Sequence, residues 1–232
     1  YELTTGFDLS TATYSQSFSV ASQDTFPRDV VFNNDGTSMF VMGDSTNTVY
    51  QYTLTTGFDV STATYASKSF VTTTQEDAPQ ALSFNTDGTK MFVVGSGTDT
   101  VYEYTLSTGF DVSTASYSSN SFSVNSEDTN PSGLFFSSDG KRMYIVGLLN
   151  DTVNKYNLTT GFDITTASLS SESFSVASQD GTPNGVVFNS DETKMFIVGN
   201  SLNGIYEYSL GYSSVTLGTG SFASADVGKT IE

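Results

Sequence analysis

Apolar positions recur along the chain in four alternating modes. Residues 39–43, 91–95, 143–147 and 195–199 are apolar at consecutive positions and end in glycine, as expected of a strand buried on both faces. Next comes an alternating stretch, such as Val101, Tyr102, Glu103, Tyr104, Thr105 and Leu106, which predicts a strand with one face inward. A short apolar run comes before each pair, at 30–32, 81–84, 134–136 and 186–188, just behind Pro27, Pro79, Pro131 and Pro183. A proline ahead of a strand removes no ladder hydrogen bond. A fourth kind of stretch is Ser/Thr-rich with spaced large residues: Tyr14 and Phe18, Tyr65 and Phe70, Tyr117 and Phe122, Leu169 and Phe174. It suits an outer strand with an edge to water. No segment carries a helical period with caps, so the pattern predicts an all-β chain.

The four strand types return together. Tyr1, Tyr52, Tyr104, Tyr156 and Tyr208 are equivalent, at spacings of 51, 52, 52 and 52 residues. A fixed period of that order predicts a propeller, and four strands make one blade. The expected fold is a β-propeller of four-stranded antiparallel blades over 1–210, with repeats starting near 1, 52, 104 and 156, and 211–232 as a divergent segment or the start of another module. The first two strands of each blade are joined at Asp35-Gly36, Asp87-Gly88, Asp139-Gly140 and Asp191-Glu192. Glycine accepts the positive φ of such turns, so Glu192 predicts strain or another turn type. Residues 1–20 hold the end of a third strand and a full fourth strand. They predict ring closure by 9–20 as the outer strand of the last blade, with Gly220-Ser221-Phe222-Ala223 as the rival, because closure suppresses a free edge. A start inside a repeat, without Met, predicts a longer precursor.

The segment at 131–156, PSGLFFSSDGKRMYIVGLLNDTVNKY, resembles the YVTN repeat of bacterial surface-layer and lactonase-like propellers. The resemblance covers four copies and implies blade architecture. Those repeats are nearer ~40 residues, and the extra length here lies in TGFDVSTA and its equivalents. The Ser/Thr-rich style also resembles tail and surface propellers of marine phages and bacteria.

Composition narrows the chemistry. With 25 acidic and 8 basic residues the net charge is −17, which argues against nucleic acid and against an anionic membrane surface. No apolar run is long enough to span a bilayer. Cys and His are absent, which excludes disulfides, zinc sites and Ser-His-Asp triads. Only Arg28 and Arg142 supply guanidinium groups, too few for a sialidase-like site. Gly228-Lys229-Thr230 lacks the earlier glycine of a phosphate loop, since Ala223 stands there.

The remaining candidates are carboxylates and loop residues. Asp24, Asp77, Asp128 and Asp180 lie in the loops entering the innermost strands; ringed about an axis they could hold Ca²⁺ through oxygen ligands, against turn capping as the plain structural role. Asn47, Asp99, Asp151 and Asn203 end the variable loops and could bind a sugar hydroxyl or cation, or cap the next strand. Leu148 and Leu149 form an apolar pair in an expected exposed loop, a contact point or a lone surface pair. Asp8, Asp59, Asp111 and Asp163 fit Asx turns, and Asp35, Asp87, Asp139 and Asp191 fit hairpins. No cofactor is required.

Together these features predict a non-catalytic propeller, not an enzyme, at an extracellular, cell or virion surface. It would bind a surface glycan or protein, or assemble with other copies of itself. The alternative is a carbohydrate-active enzyme with two carboxylates, against which the four-fold repetition counts, since catalysis needs one asymmetric site.

Overall fold

The computed structural model describes residues 1–211. It is an all-β propeller whose blades are meanders with strand order following chain order. A two-stranded stub opens the chain, β1 (Glu2–Leu3) with β2 (Ala12–Thr13). Blade 1 is β3 (Pro27–Phe32), β4 (Ser38–Gly43), β5 (Thr48–Leu54) and β6 (Ala63–Val71). Blade 2 is β7 (Pro79–Phe84), β8 (Lys90–Gly95), β9 (Thr100–Leu106) and β10 (Ala115–Ser123). Blade 3 is β11 (Pro131–Phe136), β12 (Arg142–Gly147), β13 (Thr152–Leu158) and β14 (Ala167–Ser175). Blade 4 has three strands among the described residues, β15 (Pro183–Phe188), β16 (Lys194–Gly199) and β17 (Gly204–Ser209).

The second strands form the core. Phe40 and Phe92 are fully buried, and Tyr144 and Phe196 nearly so, as a strand apolar at every position requires. The first strands begin at the prolines themselves, each paired with the closing glycine of the second strand, followed by a bulge, as from Pro27↔Gly43 to Asp29↔Met42. A first-position proline still forfeits nothing in the ladder.

Neighbouring blades are joined by one set of contacts used repeatedly. The outer-strand Phe70, Phe122 and Phe174 meet Tyr104, Tyr156 and Tyr208 of the next blade edge-on, at 5.0, 5.4 and 5.2 Å between ring centroids. The Gly-Phe-Asp linkers are ordered. Phe110 and Phe162 adopt positive φ (57° and 56°) and pack against Phe40 and Phe92 of the preceding blade at 6.2 and 6.3 Å. A Cβ on Gly88 would lie 2.4 Å from the Phe110 ring, so glycine there is needed for space as well as for its φ of 71°. Asp59, Asp111 and Asp163 then cap short 3₁₀ turns by accepting from the N–H two residues on, as the Asx reading expects.

One sequence expectation is met in its first alternative, strain without a change of turn type, and one is corrected. Glu192 keeps the same turn as the Asp-Gly hairpins: its N–H donates to the Asn189 carbonyl at 3.0 Å, as that of Gly36 does to Asn33 at 3.1 Å. It holds φ of 55°, and its carboxylate receives two bonds from Arg142 of blade 3, at 2.7 and 2.9 Å, and one from the Tyr144 hydroxyl at 2.7 Å. The backbone strain is offset across the interface. Second, residues 9–20 do not join blade 4. Ala12–Thr13 pair with Glu2–Leu3, in the register that places Thr64 and Ala63 opposite Thr53 and Leu54 in blade 1. The strand stays with its own stub, and β17 pairs only with β16 among the described residues. The rival closing segment at 220–223 lies outside the described residues.

Candidate active site

The first strands β3, β7, β11 and β15 line an axial channel of about 760 Å³. Close backbone approach narrows it at Gly133, where a Cβ would stand 2.9 Å from the Gly185 Cα. Phe84 and Phe136 are among its lining residues, and at its hairpin end Asn34 Nδ2 donates to the Thr86 carbonyl at 2.8 Å and Thr86 Oγ1 to that of Ser138 at 3.2 Å. No Lys or Arg lines this space.

One acid does. Asp29 stands in the column otherwise filled by Ala81, Gly133 and Gly185, and it is the single acidic residue on the four innermost strands. It is half-buried. Its Oδ1 accepts from the Val30 N–H at 2.8 Å, and its Oδ2 from the Leu82 N–H of blade 2 at 2.9 Å. Burial raises its pKa, against the two backbone N–H groups that lower it, and the net result is a carboxyl pushed up to about 6. No charged neighbour contributes to the shift. Each carboxylate oxygen keeps a free lone pair. Columns read across the repeats would have singled out Asp29; a search for residues present in every repeat passed over it.

The residues expected to bind ligand from the sequence fall elsewhere. Asp24, Asp128 and Asp180 are buried beneath the loops joining second and third strands. Asp24 accepts from the N–H of Phe26 and Thr46, Asp128 from those of Asn130 and Asn150, and Asp180 from those of Thr182, Ser201 and Leu202. Burial opposes the Asp180 charge, and the backbone bonds from Thr182, Leu202 and Ser201 outweigh it, holding the group at about 2. In blade 2 the same place is filled by Glu76, fully buried and bonded to the N–H groups of Ala78, Gly97 and Thr98. Asp77 is exposed, so its inclusion in the set is corrected: Glu76 stands three residues before Pro79, as Asp24 stands before Pro27, and Glu's longer stem reaches the same donors. Among the described residues no group of three or more acids is placed to hold a metal ion.

Asn47, Asp99, Asp151 and Asn203 all take positive φ, between 47° and 52°, a conformation Asn and Asp tolerate. The carbonyls of the first three accept the N–H of Thr72, Val124 and Val176, tying each variable loop to the end of the outer strand. Leu149 is exposed and Leu148 half-buried.

No family model and no curated protein matches the chain. Solved structures do. A Bacteroides uniformis protein provisionally named a 6-phosphogluconolactonase superposes with a TM-score of 0.54 at 16% identity, covering 81% of this chain and 54% of that one. A Lactobacillus plantarum protein gives 0.52 at 16%, covering 79% and 50%, and the hydrazine synthase of Kuenenia stuttgartiensis 0.53 at 16%, covering 85% and 50%. The chain thus spans about half the length of these proteins. At such identities the likeness establishes the propeller fold, in agreement with the resemblance of the repeat to lactonase-like blades. Two of the neighbours are provisionally named 6-phosphogluconolactonases, which counts against the expectation of a non-catalytic binding or assembly module.

Proposed function

We propose that the axial channel hydrolyses a small uncharged lactone, with Asp29 as general base. The observation that carries this reading is the position of Asp29: one acid, asymmetrically placed in a repeated fold, with a pKa pushed up to about 6. A base poised just below neutral pH is ionised at pH 7 yet basic enough to take a proton from water. Names of lactonases among the structural neighbours support the reaction class. The lining of the channel argues for an uncharged substrate, because a phosphate needs cationic or multiple N–H partners and no Lys or Arg faces the space.

In this mechanism a water beside Asp29 gives its proton to the carboxylate as its oxygen bonds to the lactone carbonyl carbon. The carbonyl electron pair moves onto its oxygen. Collapse of that intermediate breaks the ring C–O bond, and the departing alkoxide takes the proton back from Asp29.

A panel of γ- and δ-lactones, one of them phosphorylated, tests the proposal. Uncharged members should be hydrolysed with an acid limb near pH 6 in kcat/KM, and Asp29→Asn should reduce the rate by about 100-fold or more. No turnover, or turnover indifferent to Asp29→Asn, sinks it.

A further inference from the structure

In blades 1 and 2 the outer strand sets one tyrosine between two tyrosines of the third strand. Tyr65 of β6 pairs with Tyr52 of β5, and Tyr117 of β10 with Tyr104 of β9. Tyr50 and Tyr102 stand two residues back on the same face of the third strand, within diagonal reach. The Tyr65 ring lies 5.7 Å from that of Tyr52 and 6.1 Å from that of Tyr50. The Tyr117 ring lies 5.9 Å from both Tyr104 and Tyr102. A bulge follows each outer-strand tyrosine, with Ser67 and Ser119 at positive φ of 59° and 71°. Blade 3 has Asn154 and Leu169 in the places of Tyr50 and Tyr65.

Cross-strand packing accounts for the rings, and in blade 3 Leu169 packs in the same register opposite Tyr156. Packing makes no use of the phenols, and these are unequally placed. Tyr65 is 37% exposed, and Tyr50, Tyr102 and Tyr117 are half-buried. Tyr52 and Tyr104 are fully buried. The Tyr52 hydroxyl donates to Gln23 Oε1 at 3.2 Å, and burial pushes its pKa up to about 12. Burial pushes Tyr104 in the same direction. The inner phenol of each trio therefore gives up its proton least readily, and the outer two are open to solvent. The chain has no Cys, His or Trp, and all five methionines are buried. Oxidation at the surface is thus directed to tyrosine.

We propose that Tyr50 with Tyr65, and Tyr102 with Tyr117, are sites of oxidative cross-linking, each pair joining as a dityrosine. The oxidant is hydrogen peroxide acting through a haem peroxidase. Each phenol loses one electron and its hydroxyl proton and becomes a phenoxyl radical. The two radicals join through ring carbons adjacent to the hydroxyl-bearing carbons. The hydrogens on the joined carbons move to the oxygens, which restores both hydroxyls and both aromatic rings. Peroxide takes up the two electrons and two protons and leaves as two waters. Tyr65 and Tyr117 reach their partners by turning about their own side-chain torsions, so the strands stay paired. The link ties down the outer strand, whose far edge has no partner strand among the described residues, and closes the loop that carries the Gly-Phe-Asp linker.

The test is treatment of the full chain with a plant haem peroxidase and hydrogen peroxide, followed by tryptic mass mapping, dityrosine fluorescence and thermal melting. Cleavage after Lys and Arg leaves Tyr50, Tyr52 and Tyr65 within 29–68 and Tyr102, Tyr104 and Tyr117 within 91–141, whereas 156–194 holds Tyr156 alone. The expected result is a loss of two hydrogens from 29–68 and from 91–141, in a yield independent of protein concentration, with a rise in Tm. Tyr50→Phe and Tyr65→Phe should each abolish the loss in 29–68 and leave that in 91–141. Tyr102→Phe and Tyr117→Phe should do the reverse, and Tyr52→Phe should leave both. Absence of the loss overturns the proposal. So does a loss in 29–68 that survives Tyr65→Phe or disappears with Tyr52→Phe, or cross-links formed only between chains, whose yield climbs with protein concentration. None of these readouts depends on lactone turnover.

Discussion

Blade 2 and blade 4 share half of their aligned residues over three strands, 14 of 28 between 79–106 and 183–210, and differ in what covers them. Blade 2 lies between two neighbours, and Phe92, Val94 and Val101 are fully buried. Among the described residues blade 4 has a full blade on one side only; Phe196 is sheltered by Phe7 of the stub, while Val198 and Ile205 stand open. The same apolar strand is therefore core in one blade and surface in the other. Burial here is a property of ring position, which a single repeat does not encode.

The largest expected contrast comes from placing a charge at matched positions. Val94→Asp buries an unpaired carboxylate and should destabilise the chain by more than about 4 kcal/mol. Val198→Asp should stay within about 1 kcal/mol, because its site faces water. Urea denaturation of the two variants decides it; equal losses would mean that blade 4 is covered in solution. Next, Phe92→Ala should cost about 3–5 kcal/mol. Phe196→Ala should cost less, since one small ring shields it where a whole blade shields Phe92, and a loss equal to that of Phe92→Ala would contradict the difference.

The hairpins sharpen the comparison. Gly88→Ala sets a Cβ against Phe110 at positive φ and should cost about 2–3 kcal/mol from strain and displaced packing. Glu192→Gly relaxes the backbone by about 1 kcal/mol but removes the Arg142 partner, so its net effect in melting experiments should be a loss of no more than about 1–2 kcal/mol. A larger loss would show that the pair to Arg142 holds blades 3 and 4 together.

A pH series gives a smaller effect. The Asp29 carboxyl is raised to about 6 by burial, so between the ordinary carboxylate range and 6 the folded chain keeps a proton that the unfolded chain has lost. That contribution is present at low pH and disappears as the pH rises through 6. Asn does not titrate. The stability of Asp29→Asn relative to the unaltered chain should therefore rise by about 2 kcal/mol between pH 4 and pH 8, after allowance for partial exposure. A flat difference would place Asp29 in water. The smallest effect belongs to Arg28 and Asp44, a pair 2.6 Å apart at the surface: Arg28→Ala should change stability by less than about 1 kcal/mol.

Much of the fold was legible because blade strands differ in pattern, and consecutive apolar residues ending in glycine can only be an interior strand here. The Asp caps and hairpins were legible for the same local reason. The site was less so. Asp29 breaks the repeat, and its meaning depends on which strands surround the axis. Glu76 was hidden by the nearby Asp77, because a carboxylate was matched by type when its distance from the proline decided the matter. The place of residues 9–20 was illegible for a deeper reason. Their sequence says what kind of strand they form, and an outer strand of blade 4 has the same composition as one that pairs with the N-terminal stub. The short pairing of Glu2–Leu3 with Ala12–Thr13 decides between them, and two residue pairs leave no periodic trace.

The repeated blade contacts have a consequence for how such a molecule varies between generations. Phe70 with Tyr104, Phe122 with Tyr156 and Phe18 with Tyr52 are interchangeable joints. None identifies which blade it joins. A duplication or deletion of one 52-residue unit would present matching joints on both sides of the splice. The number of blades then follows the number of copies, and gain or loss of one unit leaves every remaining joint matched.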